Sequence, residues 1–213
     1  MDLGQLTVVV GCMFAGKSEE LLRKMKRAEI AGLRPLLVKP ALDTRGTAER
    51  ICSRDGRCMD AISVRSAADI LAVADRYDII GIDEAQFFDE GITAAVRTLY
   101  GQGKRVIIAG LDTDYRDEPF GSTHLLMAIP EADVVKLRAV CMRCRGEATR
   151  TFRKTRNEAK VVIGDADQYE ALCYTCYVSA CAVRDSSPQF ILSHAKDLTH
   201  TPGTPSSTRV PSR

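Results

Sequence analysis

Residues 6–25 read LTVVVGCMFAGKSEELLRKM, and the order of textures in that stretch decides the fold. Leu6–Val10 is an almost wholly apolar run of strand length, the pattern of a strand covered on both faces. Gly11–Ser18 then matches G-x-x-x-x-G-K-[ST]. Beyond it Leu21, Leu22, Met25 and Ala28 recur at i, i+1, i+4 and i+7, the apolar face of a helix that stops near Gly32. Strand, glycine loop and helix in this order make a phosphate-binding loop. The glycines let backbone N–H groups wrap an anion, and the helix N-terminus adds partial positive charge. In such a loop Lys17 reaches the β- and γ-phosphates, and the Ser18 hydroxyl can ligate Mg²⁺.

Outward from this stretch the chain repeats the same alternation. Pro35–Val38, Asp78–Asp83 and Arg105–Gly110 read as buried strands, with helices over Ala67–Asp75 and roughly Glu90–Tyr100. Strands alternating with helices imply an α/β fold: a P-loop NTPase-type parallel sheet with flanking helices, over residues 1–139. From residue 140 charged and small residues surround two cysteine pairs, which reads as a small lobe over 140–184 with a short strand candidate at Val161–Gly164. Residues 185–213, rich in Ser, Thr and Pro, read as a disordered tail.

Composition removes several function classes. With 213 residues, 45% hydrophobic and 27% charged, the chain can bury a core without disulfide staples. A net charge of +2 gives no global field for nucleic acid or a membrane surface. No run approaches the ~18 apolar residues of a membrane span, and MDLGQL lacks the basic start of a secretory leader. The expected location is the cytoplasm, where disulfides are rare, so eight cysteines need another explanation.

The second chemical signal is IIGIDEAQFF, Ile79–Phe88. It puts two acids where a buried strand leaves the sheet, the end at which open α/β folds bind ligands. Side-chain alternation along a strand would turn them apart: Asp83 toward the phosphate loop to hold Mg²⁺, Glu84 toward an acceptor as general base. Helicase-type ATPases carry a similar acidic box, but they need two such domains and a basic track. Phe87 and Phe88 read as core aromatics at a helix start, and Arg23–Arg27 as the solvated face of the first helix. His124, His194 and His200 form no ligand spacing.

Cys141-x2-Cys144 and Cys173-x2-Cys176 account for half of the cysteines, where about 0.3 such pairs would arise by chance. Two such turns complete a tetrahedral all-thiolate zinc site, closed and therefore structural. A redox pair is set aside because neither pair reads as the start of a helix that follows a core strand. Cys12, Cys52, Cys58 and Cys181 read as small packing residues.

Taken together, GCMFAGKS, Asp43–Arg45, GIDEAQFF, AGLDTDYRDEPFG and VVKLRAVCMRC leading to CYTC resemble the zinc-containing type II thymidine kinases, in order from about residue 4 to residue 178. The resemblance implies ATP- and Mg²⁺-dependent phosphorylation of thymidine and deoxyuridine, a structural Zn²⁺, a homotetramer and feedback inhibition by thymidine triphosphate. From the near-zero net charge and the lack of an apolar span, no nucleic-acid or membrane partner is expected. By motif the resemblance makes Glu84 the base, and Ser18 and Asp83 the magnesium-organising pair. Nucleotide contacts fall to Gly11, Cys12, Met13, Phe14, Ala15, Gly16, Lys17, Ser18, Asp43, Arg45 and Asp83–Gln86, including Glu84 and Ala85. The base pocket falls to Met13, Phe87, Leu111, Tyr115, Thr151, the backbone of Val162, Ile163 and Gly164, and Tyr169. Residues between the zinc pairs would close over the nucleoside as a lasso pinned at both ends. Two positions depart from the family pattern: Gly46 replaces an aromatic after Arg45, and Arg54 a titratable group.

Overall fold

A computed structural model describes residues 4–43, 49–54, 56–156 and 166–186, with the backbone alone at residues 185 and 186. The elements follow as β1 (Gln5–Val10), α1 (Lys17–Ile30), β2 (Pro35–Pro40), β3 (Arg50–Cys52), β4 (Cys58–Asp60), β5 (Ile62–Val64), α2 (Ala67–Ala74) and β6 (Ile79–Ile82). A 3-10 turn (Ala85–Phe87), α3 (Ile92–Gly101), β7 (Arg105–Gly110), α4 (Thr123–Met127) and β8 (Ala132–Lys136) complete this part. Six strands form one parallel sheet in the order β5-β2-β6-β7-β1-β8.

Period-two alternation divides the sheet's side chains between two layers. Val9, Leu37, Ile79, Ile107 and Ala109 pack with Leu21, Leu22, Met25 and Ala28 of α1. Val8, Val10, Leu36, Val38, Ile80, Ile82, Val106 and Ile108 face the other way, onto Ile70 of α2 and Ile92, Val96 and Leu99 of α3. Each such fully buried side chain contributes about 1.5–3 kcal/mol relative to exposure. α2 is started by a capping box in which the Ser66 hydroxyl accepts the Asp69 N–H and the Asp69 carboxylate accepts the Ser66 N–H. Arg23, Lys26 and Arg27 are exposed on α1, as expected of a solvated face. Phe88 joins the core, whereas Phe87 is only half-buried and meets Phe120 edge-on at 5.6 Å.

The lobe consists of β9 (Ala139–Val140), β10 (Glu147–Ala148), β11 (Arg150–Arg153), β12 (Tyr169–Leu172) and α5 (Tyr174–Ser186). β9 pairs with β10 and β11 with β12, both antiparallel. The lobe core is small, built on Ala139, Ala148, Phe152, Ala171, Leu172 and Ala180, and it includes Cys12 of the phosphate loop. The last helix therefore passes Arg184, the residue at which the lobe was expected to end.

Two cysteine expectations need correction. Cys52 and Cys58 are joined as a disulfide, because the β3–β4 hairpin sets them directly opposite one another. Cys173 stands immediately before α5 and Cys176 in its first turn, so this pair does open a helix, although one that follows a strand of the lobe's two-stranded sheet and not of the central sheet. What separates the readings is the company these thiols keep.

Candidate active site and metal centre

β1 delivers the chain into a loop with Gly11 at φ 147°, Phe14 at 68° and Gly16 at 81°. A Cβ on Gly11 would lie 2.4 Å from the Leu137 carbonyl oxygen, so only glycine fits there. Phe14 holds a left-handed backbone that non-glycine residues seldom adopt. Its ring is covered by the Arg54 guanidinium, 4.2 Å from the centroid, reaching over from the turn between β3 and β4. Arg54 thus rests on the phosphate loop itself. Lys17 Nζ donates to the Cys12 carbonyl at 2.8 Å, folding the ammonium back over the loop. Burial pushes that ammonium down, while the charges of Glu84, Cys12, Asp83 and Asp112 pull it back up. Burial likewise raises the Cys12 thiol, which suits packing better than nucleophilic attack.

The acid pair sits at the carboxyl end of β6, with β7 between β6 and β1. Ser18 Oγ donates to Asp83 Oδ1 at 3.3 Å, and the Glu84 N–H donates to the same oxygen at 3.0 Å. The strand stops at Ile82, so alternation is not what separates the acids. Glu84 leaves the strand line because its own backbone is left-handed, at φ 51° and ψ 45°. Burial, then the neighbouring charge of Glu84, push the Asp83 carboxyl up to about 7 against the Ser18 hydrogen bond and Lys17. Ala85 is buried behind them, and Gln86 spends both ends of its amide inside the protein.

The lobe is tied to the phosphate loop and to residues 115–117 by named bonds. The Met13 N–H donates to Thr151 Oγ1 at 3.0 Å, and Cys12 Sγ to the Ala148 carbonyl at 3.5 Å. Tyr177 donates its hydroxyl proton to the Tyr115 carbonyl at 2.8 Å, and Arg150 pairs with Asp117 at 2.8 Å. Between Tyr115 and Tyr169 lies Arg153, 1% exposed, its guanidinium 3.5 Å from one ring centroid and 5.6 Å from the other. Arg153 is a residue the sequence reading missed. Its spacing of two from Thr151 sets both on one face only once β11 is known to be a strand.

Leu111, Tyr115, Thr151 and Tyr169 are all buried around this seam, and Met13 and Phe87 are half-buried. Asp43 follows β2 and donates its N–H to the Pro40 carbonyl. Arg45, Gly46, Val162, Ile163, Gly164 and the strand candidate at Val161–Gly164 lie outside the described residues.

The four lobe cysteines converge, with all their sulfurs within 4.8 Å of one another. Cys141 and Cys144 come from the turn between β9 and β10, Cys173 and Cys176 from the start of α5. A tetrahedral metal with ~2.3 Å bonds to sulfur needs sulfur–sulfur edges of ~3.8 Å. Cys144 Sγ and Cys173 Sγ lie 3.6 Å apart, so the donor set fits a metal. A dithiol redox pair would use two of these sulfurs and leave the other two without a reason to converge.

The loop after β1 has the glycine geometry of a phosphate loop, and its Ser18 meets an acid at the carboxyl end of β6; the class is a P-loop phosphotransferase. The sequence model of the thymidine kinase family matches residues 4–177, and the chain belongs to that family. A thymidine kinase of Bacteroides thetaiotaomicron is 43% identical over 177 residues, covering 83% of this chain and 88% of the relative. One of Mesomycoplasma hyopneumoniae is 44% identical over 176 residues, covering 82% and 95%. A third, of Porphyromonas gingivalis, is 42% identical over 174 residues, covering 82% and 85%. Among solved structures, AMPPCP-bound DnaA from Aquifex aeolicus aligns at a TM-score of 0.37 and 16% identity over 64% of this chain and 41% of its own, a likeness too slight to inform function. Among the described residues no helix is long and apolar enough to cross a membrane.

Proposed function

We propose that the chain transfers the γ-phosphoryl group of ATP to the 5′-hydroxyl of thymidine, and of deoxyuridine, for nucleotide salvage. The observation that carries this reading is the placement of Lys17, Asp83 and Glu84 around one phosphate loop. Glu84 takes the hydroxyl proton as the new P–O bond forms and the bond to the β-phosphate oxygen breaks, releasing ADP. Ser18 Oγ and the Asp83 carboxylate would hold Mg²⁺, and the raised Asp83 carboxyl is the kind of buried acid a cation relieves. When bound there, Mg²⁺ would supply charge neutralisation to the phosphates.

We read the four-thiol centre as structural zinc, and residues 140–184 as a lobe that covers the base while residues 1–139 hold the phosphates. Backbone recognition by residues 162–164, contacts of Asp43 and Arg45 near the phosphates, a homotetramer, feedback by thymidine triphosphate and a cytoplasmic location belong to the same reading. They rest on the family resemblance.

A panel of nucleosides with ATP and Mg²⁺ tests it by ADP release. Thymidine and deoxyuridine are expected to turn over, purine deoxynucleosides not. Hydrolysis stimulated by DNA or RNA and indifferent to nucleosides would support a nucleic-acid ATPase instead. The seam makes a second prediction. Arg153→Met removes a buried cation–π contact worth about 0.5–2 kcal/mol. The KM for thymidine should then rise about 2–30-fold while the KM for ATP holds. Equal KM values in both proteins would show that the stack does not shape the nucleoside pocket.

A further inference from the structure

Gln86 lies in the 3-10 turn two residues after Glu84 and is 4% exposed. Its Oε1 accepts the Leu111 N–H at 2.9 Å, and its Nε2 donates to Glu84 Oε2. The orientation of the amide follows from chemistry. A backbone N–H can only donate, and an ionised carboxylate can only accept. Reversing the amide would break both bonds and bury the Leu111 N–H unpaired, at a cost of about 1–3 kcal/mol. The surroundings also grip the residue. A Cβ on Gly121, at φ +53°, would meet the Gln86 carbonyl oxygen at 2.2 Å, and one on Gly110 would come within 3.1 Å of Gln86 Oε1. The end of β7 therefore fixes the amide, and the amide reaches the carboxylate.

We propose that Gln86 is a positioning residue for Glu84, relaying the rigidity of β7 to the carboxylate that accepts the proton. This rests on the reading of Glu84 as base. Geometry of this kind matters because a displacement of about 1 Å in a reacting group can cost about 10²-fold in rate.

The test exploits an asymmetric substitution. Gln86→Glu keeps an acceptor for Leu111 but turns the donor facing Glu84 into a second carboxylate. The expected result is a kcat lower by about 10²-fold, with the KM for thymidine close to that of the wild type. In a Glu84→Gln background the same substitution should cost almost nothing more in single-turnover rate, because Gln86 acts through Glu84. A structural role predicts the reverse: the same fractional loss in both backgrounds. Should Gln86→Glu not fold, Gln86→Met decides by the same comparison. A Glu84→Gln protein with full turnover would sink the reading of the base. Loss in Glu84→Gln beside an unchanged kcat in Gln86→Glu would overturn the positioning role alone.

Discussion

Glu84→Gln is expected to lower kcat by about 10²–10⁴-fold, the span that a positioned general base contributes. The substitution changes one oxygen to an amide nitrogen and keeps the volume, so the left-handed turn at Glu84 and the buried Ala85 behind it stay in place. ATP binding should survive, because the phosphate loop and Lys17 belong to β1 and α1 rather than to the β6 end. Titration with a non-hydrolysable ATP analogue gives the affinity, and single-turnover quench gives the chemical step. A joint loss of binding and turnover would mean that the substitution disturbs the loop. Unchanged turnover would mean that another group takes the proton.

Removing the lobe metal should have an effect of similar size by a different route. The lobe core is built largely on alanines with a single phenylalanine, too little to hold four short strands and a helix by burial alone. Cys141→Ser, or a strong chelator, should take the metal from about one per chain to none and release β9–β12 from the phosphate loop. Thr151 then no longer accepts from Met13, and Tyr115 loses its bond from Tyr177, so nucleoside turnover should fall to background. Proton linkage gives an independent check. Burial opposes ionisation of the Cys141 thiol, but N–H donors of Cys144, Cys173 and Arg143 bring it down to about 6. A hydrogen bond to Cys173, then burial and the other thiols, push Cys176 up to about 12. Binding a metal must therefore expel protons, and metal should be lost as the pH falls. Metal analysis after dialysis at pH 5 and pH 8 reads this directly. Full activity in a metal-free protein would contradict it.

How much of this was legible depended on how local each feature is. The β1–loop–α1 stretch was readable because its spacing carries both periodicity and chemistry, and Leu21, Leu22, Met25 and Ala28 are all buried as the stripe required. The relation of Ser18 to Asp83 followed from two motifs that each mark a strand's carboxyl end. Features that depend on a partner far along the chain were not readable. Leu111 must come alongside Gln86 before the amide has a direction, and Tyr169 must fall in register with Arg153 before a buried arginine makes sense. β8 was missed as an element because Asp133 and Val134 are exposed on an edge strand, which weakens its apolar signal. The Cys52–Cys58 pair needed a hairpin of three-residue strands, too short for any periodicity to announce.

The central claim is the transfer itself, and the destination of the phosphorus atom tests it most directly. Phosphorus NMR of an incubation with ATP, Mg²⁺ and thymidine should show a phosphomonoester split by the two 5′-methylene protons, growing in step with ADP. A signal from inorganic phosphate alone, with thymidine unchanged, would contradict the account.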